Sequence, residues 1–141
     1  MIQVGIIGGA GYTAGELIRL LVNHQEVTLD FVYSTSNGGN KISDIHQDLV
    51  GTIDMRFTKQ INPNVDVVFL CLGHGNSKSF LSKYQFAEDT RIIDLSRDFR
   101  LENDKLFKGN EFVYGLPELN KKAITNAHLI ANPGCFATAI Q

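Results

Sequence analysis

Val65 to Leu72 (VDVVFLCL) is apolar at every position except Asp66. A strand with one wet face alternates; a run like this one needs apolar cover above and below, as inside a parallel sheet flanked by helices. It is far too short to cross a bilayer. The segments around it supply the cover. Val4 to Ile7 reads as a first strand and Val27 to Thr35 as a second, with Val27, Leu29, Phe31 and Tyr33 on one face. Arg91 to Leu95 reads as a further strand and His128 to Ala131 as a last short one. Between them, Glu16 to Asn23 carries a wide apolar stripe, and Phe80, Leu81 and Tyr84 mark a second helix that Asn76 or Ser77 is placed to cap. Met55 to Thr58 fits a short edge strand, Arg97 to Asn120 a long excursion, and Lys121 to Asn126 one or two helical turns. The alternation predicts an α/β domain of the Rossmann type: a doubly wound, mostly parallel sheet with helices on both faces.

Ligands of such sheets bind beyond the carboxyl ends of the strands, and the chemistry-bearing segments of this chain gather there. After the first strand come Gly8, Gly9, Ala10, Gly11, Tyr12, Thr13 and Ala14. Gly8 lets the chain reverse sharply, Gly11 lets a pyrophosphate sit against backbone, and small Ala14 lets the helix pack close to its strand. The first amides of that helix then face the phosphates, aided by the helix dipole. The spacing is G-x-x-G-x-x-A. An ordinary tight strand-to-helix turn has a similar composition, but this one follows a buried-type strand and precedes a helix, where a dinucleotide-binding turn belongs.

The second strand ends in Ser34, Thr35 and Ser36, with no carboxylate before Asp44. An acid there would grip both ribose hydroxyls of NAD. Small hydroxyls leave room for a 2′-phosphate, and Lys41 could add charge, so the expected cofactor is NADP. The same residues are also common turn formers. Further strand ends carry Gly73, His74 and Gly75, then Ser96, then Asn132, Pro133 and Gly134.

Cys135 follows that last turn and precedes Phe136 to Ile140, which has the look of a helix start. A thiolate at a helix N-terminus is stabilised by free amides and dipole, which lowers its pKa. Beside a nicotinamide it is a candidate nucleophile for thioester or thiohemiacetal chemistry. Cys71, inside the apolar strand, reads as a small core residue. Two cysteines in such different settings do not suggest a disulfide framework.

Bulk composition leaves this reading standing. The 141 residues suffice for one domain, 43% of them are hydrophobic and 20% charged, and the net charge of −2 offers no electrostatic case for nucleic acid or an anionic membrane. The N-terminus has no basic segment or cleavage site, so no targeting peptide is expected, and a reducing cytoplasm fits. No metal site is expected.

The segments GGAGYTAGEL (Gly8–Leu17), Thr35-Ser36, Ser43 to Leu49 around His46, Leu72 to Ser77, IDLSRDFRL (Ile93–Leu101), YGLPELN (Tyr114–Asn120) and NPGCFAT (Asn132–Thr138) together closely resemble the N-terminal part of the N-acetyl-γ-glutamyl-phosphate reductase family, related to aspartate-semialdehyde dehydrogenase. The last three long motifs are far more specific than the glycine turn. The resemblance implies an enzyme of arginine biosynthesis. Cys135 attacks an acyl-phosphate substrate, phosphate leaves, and NADPH reduces the thioester to a semialdehyde. It implies that Gly8 to Ala14 and the strand ends place the cofactor, that Ser96 and Asn132 to Gly134 lie near nicotinamide and nucleophile, and that the parent protein is a homo-oligomer.

Three positions depart from the family pattern. Asn37 stands where many relatives carry arginine, Asn40-Lys41 replaces a differently placed lysine, and Gly73 precedes His74 where proline is frequent. The chain also ends six residues after Cys135. It is expected to be one NAD(P)-binding domain, residues 1–141, without the catalytic and dimerisation domain that supplies the family's acid/base histidine. Alone it is expected to hold cofactor without full activity. The other readings are a semialdehyde dehydrogenase acting on aspartyl or aminoadipyl phosphate, and a nucleotide-binding domain with no chemistry.

Overall fold

The computed structural model describes residues 1–139. Its main sheet has six strands in the order β2-β1-β3-β4-β8-β7: β1 (Ile2–Ile7), β2 (Val27–Tyr33), β3 (Val67–Leu70), β4 (Arg91–Asp94), β7 (Val113–Tyr114) and β8 (Leu129–Ala131). Every pairing in it is parallel. A small antiparallel hairpin, β5 (Leu106–Phe107) and β6 (Asn110–Glu111), stands apart. The helices are α1 (Tyr12–Val22), α2 (Ile42–Ile45), α3 (Ser77–Lys83), α4 (Pro117–Thr125) and α5 (Cys135–Ala139), with a 3-10 turn at Gln47–Leu49. The expected doubly wound sheet is therefore present. Among the described residues no helix is long and apolar enough to cross a membrane.

Two apolar clusters lie on opposite faces of the sheet. Ile6 and Val32 pack with Ala14 and Ile18 of α1, with Ile42 of α2, and with Leu49 and Phe57. Their strand neighbours Ile7, Phe31 and Tyr33 turn the other way, joining Val68, Leu70 and Ile92 against Phe80 and Leu81 of α3. In β3, Val68 and Leu70 are buried in the second cluster, while Val67 and Phe69 on the opposite face are half-buried.

Several boundaries differ from the sequence reading. Helix α1 begins four residues earlier than the apolar stripe, at Tyr12, because its first turn buries only the small Ala14 and Gly15 and leaves Tyr12 and Thr13 exposed, so it adds no large residue to the stripe. Val27, Leu29, Phe31 and Tyr33 do not share one face: Leu29 packs with the α1 cluster, whereas Phe31 and Tyr33 pack with the α3 cluster. The register between β1 and β2 shifts after Val4, which pairs with Leu29 while Gly5 pairs with Phe31. Asp30 is thus the extra residue of a bulge, and one extra residue inverts the facing of all that follow. Phe31 then crosses Gly5, whose missing side chain makes room for its ring.

Met55 to Thr58 contributes only single bridges, Tyr33 to Thr58 and Lys41 to Arg56. The excursion hides a sixth strand: β7 is too short to show a period, and β8 holds it in place. Helix α4 is longer than expected, Pro117 to Thr125, with a break at Asn120, whose amide donates to the Tyr114 carbonyl at 2.9 Å. Helix α5 opens at Cys135 as expected, while Ile140 of that expected segment lies outside the described residues.

Candidate functional site

Strand order decides which loops become neighbours. From β1 the chain goes first to β2 on one side and later to β3 on the other, so the crevice between them is a topological switch point. Bonds beyond the strand ends continue the ladder and set the loops side by side. Gly8 and Gly9 both donate to the Tyr33 carbonyl (3.0 and 2.9 Å), Cys71 donates to Ile7 (2.8 Å), Leu95 to Leu70 (3.0 Å) and Asn132 to Asp94 (2.8 Å). The loops after β2, β1, β3, β4 and β8 therefore form one row, with Ser34–Ser36 at one end, the glycine turn beside it and Cys135 at the far end. Four strand spacings separate the ends, roughly 19 Å.

Two clefts run along this row. The smaller, about 540 Å³, is lined by Gly8, Ala10, Gly11, Tyr33, Ser34, Thr35, Ser36, Cys71, Leu72, Gly73, Asn76, Ser79, Phe80, Lys83 and Tyr84. The larger, about 820 Å³, is lined by Gly11, Tyr12, Thr13, Cys71, Leu72, Gly73, His74, Leu95, Arg100, Asn132, Pro133, Gly134, Cys135, Thr138 and Ala139. Gly11 and the Cys71–Gly73 segment belong to both, which makes one continuous groove. Most of the residues anticipated from sequence thus meet in it.

The others lie outside it. Gly9 faces the core, where Val32 and Phe57 occupy the space a side chain would need. Ala14 is fully buried against the sheet. Ser96 is buried in a hydrogen-bonded cluster. Gly75 lies in a neighbouring pocket with Lys78, Arg97 and Asp98. Lys41 is exposed, bridges to Arg56, and lines neither cleft.

The turn itself is shaped by contact. Gly8 has φ of +82°, and a Cβ there would lie 2.7 Å from the Cys71 carbonyl oxygen. Both the backbone angle and the closeness of the β3 loop exclude a side chain. At Gly11 the nearest atom to a built Cβ is the Gly8 oxygen at 3.8 Å, so this position opens outward. It caps α1, whose first amides have no partner within the helix.

The second helix N-terminus is already occupied. Neither Asn76 nor Ser77 caps α3 with its side chain as expected; Asp98, from the loop after β4, accepts from the Gly75 amide at 2.7 Å and the Ser77 amide at 3.0 Å. The Asp98 carboxylate thus takes up amides at the start of α3. Beneath it, fully buried Asp94 accepts from the hydroxyls of Ser77 at 2.5 Å and Ser96 at 2.6 Å. Burial pushes the Asp94 carboxyl above the usual carboxylate range, and the two hydroxyls oppose the shift. Burial first, and Asp94 second, pushes the Cys71 thiol up to about 12, so Cys71 stays a thiol at the groove floor. Cys135 is exposed at the other end.

Arg100 ties the Asn132–Gly134 turn to the end of β4. Its Nε donates to the Asn132 carbonyl at 2.7 Å and its Nη2 to the Leu95 carbonyl at 3.0 Å, while Nη1 lies 3.1 Å from where a Cβ of Gly134 would stand.

The family model described as semialdehyde dehydrogenase, NAD binding domain, matches residues 3–127. The chain belongs to the semialdehyde dehydrogenase NAD-binding domain family. An N-acetyl-gamma-glutamyl-phosphate reductase of Flavobacterium johnsoniae is 65% identical over 141 residues, covering all of this chain and 43% of that protein. One from Christiangramia forsetii is 63% identical, covering 99% of the chain and 42% of the relative. The chain thus spans less than half the length of these curated relatives. The crystal structure of aspartate semialdehyde dehydrogenase with NADP from Candida albicans shares the fold, with a TM-score of 0.56 and 20% identity over 72% of this chain and 31% of that one.

The groove also depends on residues that local sequence pattern leaves without a task. Asp98 and Arg100 lie inside IDLSRDFRL, and a charged pair within so distinctive a motif was the available signal. His46 is another. Its Nε2–H donates to the Gly9 carbonyl at 2.7 Å, its ring fills the space beside Gly15 (2.6 Å from a built Cβ to Nδ1), and it meets Phe57 edge-on at 6.2 Å. The loop after β2 thereby holds the glycine turn from below. Arg19 of α1 fastens the same loop by binding Asp48. His46→Ala leaves a buried carbonyl unpaired and a hole beside Gly15. We expect it to lower stability by about 2–3 kcal/mol in denaturant unfolding, with His46→Gln recovering part of the loss. No change in the midpoint would show that the turn needs no brace.

Proposed function

We propose that this chain is the cofactor-holding part of a cytoplasmic enzyme of arginine biosynthesis that reduces N-acetyl-γ-glutamyl phosphate to the 5-semialdehyde with NADPH. The observation that carries the reading is that Cys135 and the glycine turn line one groove. The identity of 65% to a reductase so named adds to it. A homo-oligomeric parent protein belongs to the same reading.

The residues present fit a dinucleotide. The open space at Gly11 and the first amides of the eleven-residue α1 suit a pyrophosphate. The acid-free end of β2 suits a 2′-phosphate. When bound, the nicotinamide supplies the hydride that reduces an acyl thioester.

The chain's own groups do the rest. The Cys135 sulfur, as thiolate, bonds to the acyl carbon; the bond from that carbon to the phosphate oxygen breaks, and inorganic phosphate leaves with the electron pair. Arg100, which lines the groove and holds the Asn132 and Leu95 carbonyls, has Nη1 beside Gly134 and is the cation this reading assigns to the departing phosphate. After reduction the carbon–sulfur bond breaks, returning the thiolate and releasing the aldehyde.

The test has two arms. The chain alone should bind NADPH, measured by calorimetry. Joined to the C-terminal part of the Flavobacterium johnsoniae relative, it should oxidise NADPH in the presence of N-acetyl-γ-glutamyl phosphate. A chain that binds no NADPH at millimolar concentration would overturn the proposal and leave a nucleotide-free domain.

A further inference from the structure

We propose that Lys83, the last residue of α3, selects between the two nicotinamide cofactors by pairing its ammonium with the 2′-phosphate of NADP. This rests on the NADP reading above and names the side chain that enforces it.

The smaller cleft has an aromatic wall and a polar rim. Tyr33 meets Phe80 edge-on at 5.6 Å, and Phe80 stacks on Tyr84 at 4.5 Å. An aromatic wall of this kind suits a purine. The rim comes from Ser34, Thr35 and Ser36 on the β2 side and from Ser79 and Lys83, one turn apart, on the α3 side. Lys83 is the one charged residue among those lining this cleft, and no carboxylate lines it. It is exposed and forms no ion pair among the described residues.

The rim hydroxyls cannot supply the charge. Ser34 is buried and its hydroxyl already accepts from the Asn37 amide at 3.2 Å, and that of Ser36 accepts from the Asn37 side chain at 3.2 Å. A phosphate dianion there needs a cation. The other cations near the end of β2 do not line this cleft. Arg56 donates to the Gly39 carbonyl at 2.9 Å, the Lys59 stem lies across Gly38, and Lys41 lines neither cleft. The nearest acid on β2, Asp30, accepts from Asn62 at 3.1 Å, away from this rim. The signal was invisible in sequence because Lys83 lies 47 positions beyond Ser36, on a helix that only the sheet topology brings alongside.

The experiment measures dissociation constants for NADPH and NADH on the whole chain by calorimetry, at low and raised salt, for wild type, Lys83→Ala, Lys83→Arg and Lys41→Ala. Lys83→Ala should weaken NADPH about tenfold, leave NADH within about twofold, and flatten the salt dependence of NADPH binding. Lys83→Arg should retain most of the preference, and Lys41→Ala should change neither cofactor. Equal losses for both cofactors would make Lys83 a packing residue and overturn the inference. No loss at all, or a loss in Lys41→Ala instead, would overturn it too. Wild-type protein that binds the two cofactors equally would overturn the NADP reading itself, before any variant is compared.

Discussion

Cys135→Ser, in the chain joined to the C-terminal part of a reductase relative, is expected to lower NADPH-dependent reduction of the acyl phosphate by roughly three orders of magnitude or more and to leave NADPH affinity within about twofold. A serine hydroxyl is far less ionised than a thiol at neutral pH and forms an ester, a poorer acceptor for hydride than a thioester. Nothing in the fold depends on the sulfur, because Cys135 is exposed and opens a short helix at the chain's far end. Retained cofactor binding therefore separates a chemical role from a structural one. Steady-state kinetics and calorimetry on the same preparation make the comparison. Residual activity above a tenth of wild type would remove Cys135 as the nucleophile and favour a domain that binds nucleotide without covalent chemistry.

Gly8→Ala is the second large effect, and here stability and binding should fall together. A left-handed angle costs an alanine about 1–2 kcal/mol. The added Cβ also meets the Cys71 carbonyl oxygen at 2.7 Å, a backbone atom of the adjoining loop that cannot turn aside. The sum, about 2–4 kcal/mol, is a large part of what a domain of this size has. Moving the two loops apart would also widen the switch-point crevice and lower NADPH affinity by at least about tenfold.

Two further glycines divide that effect. Gly39 has φ of +92° with nothing within 4 Å of a built Cβ, so Gly39→Ala should show the backbone cost alone. Gly11 has no left-handed angle and only the Gly8 oxygen at 3.8 Å, so Gly11→Ala should fold normally and lose cofactor by filling the cradle. Denaturant unfolding and NADPH titration of the three variants check the division. If Gly11→Ala binds NADPH as wild type does, the pyrophosphate does not approach the turn as proposed.

The groove was legible in sequence where its parts are local. Gly8 to Ala14 lies between a strand and a helix that each announce themselves by period, and Ser34–Ser36, Gly73–His74 and Asn132–Cys135 each follow a readable strand. Where function depends on residues that meet only across the sheet, local pattern was silent or misleading. Asn76 and Ser77 have the chemistry of caps, yet Asp98 takes their task because β3 and β4 are neighbours. Lys41 is nearest in sequence to Ser34–Ser36, yet Lys83 shares their cleft. His46 stands in a polar loop, yet its ring fits under Gly9 against Gly15.

The sequence by itself determined the class of sheet, the position of the phosphate-type turn and the presence of a cysteine at a strand end. These depend on near-neighbour sterics and on the burial period of single segments. Tertiary structure alone decided the bulge at Asp30 that reverses the facing of Phe31 and Tyr33, the sixth strand, and the row of loops that joins Ser34–Ser36 to Cys135 in one groove. Those features depend on which strands lie side by side. Strand order is settled by long-range packing, in which each segment's pattern fits more than one neighbour until all are placed together.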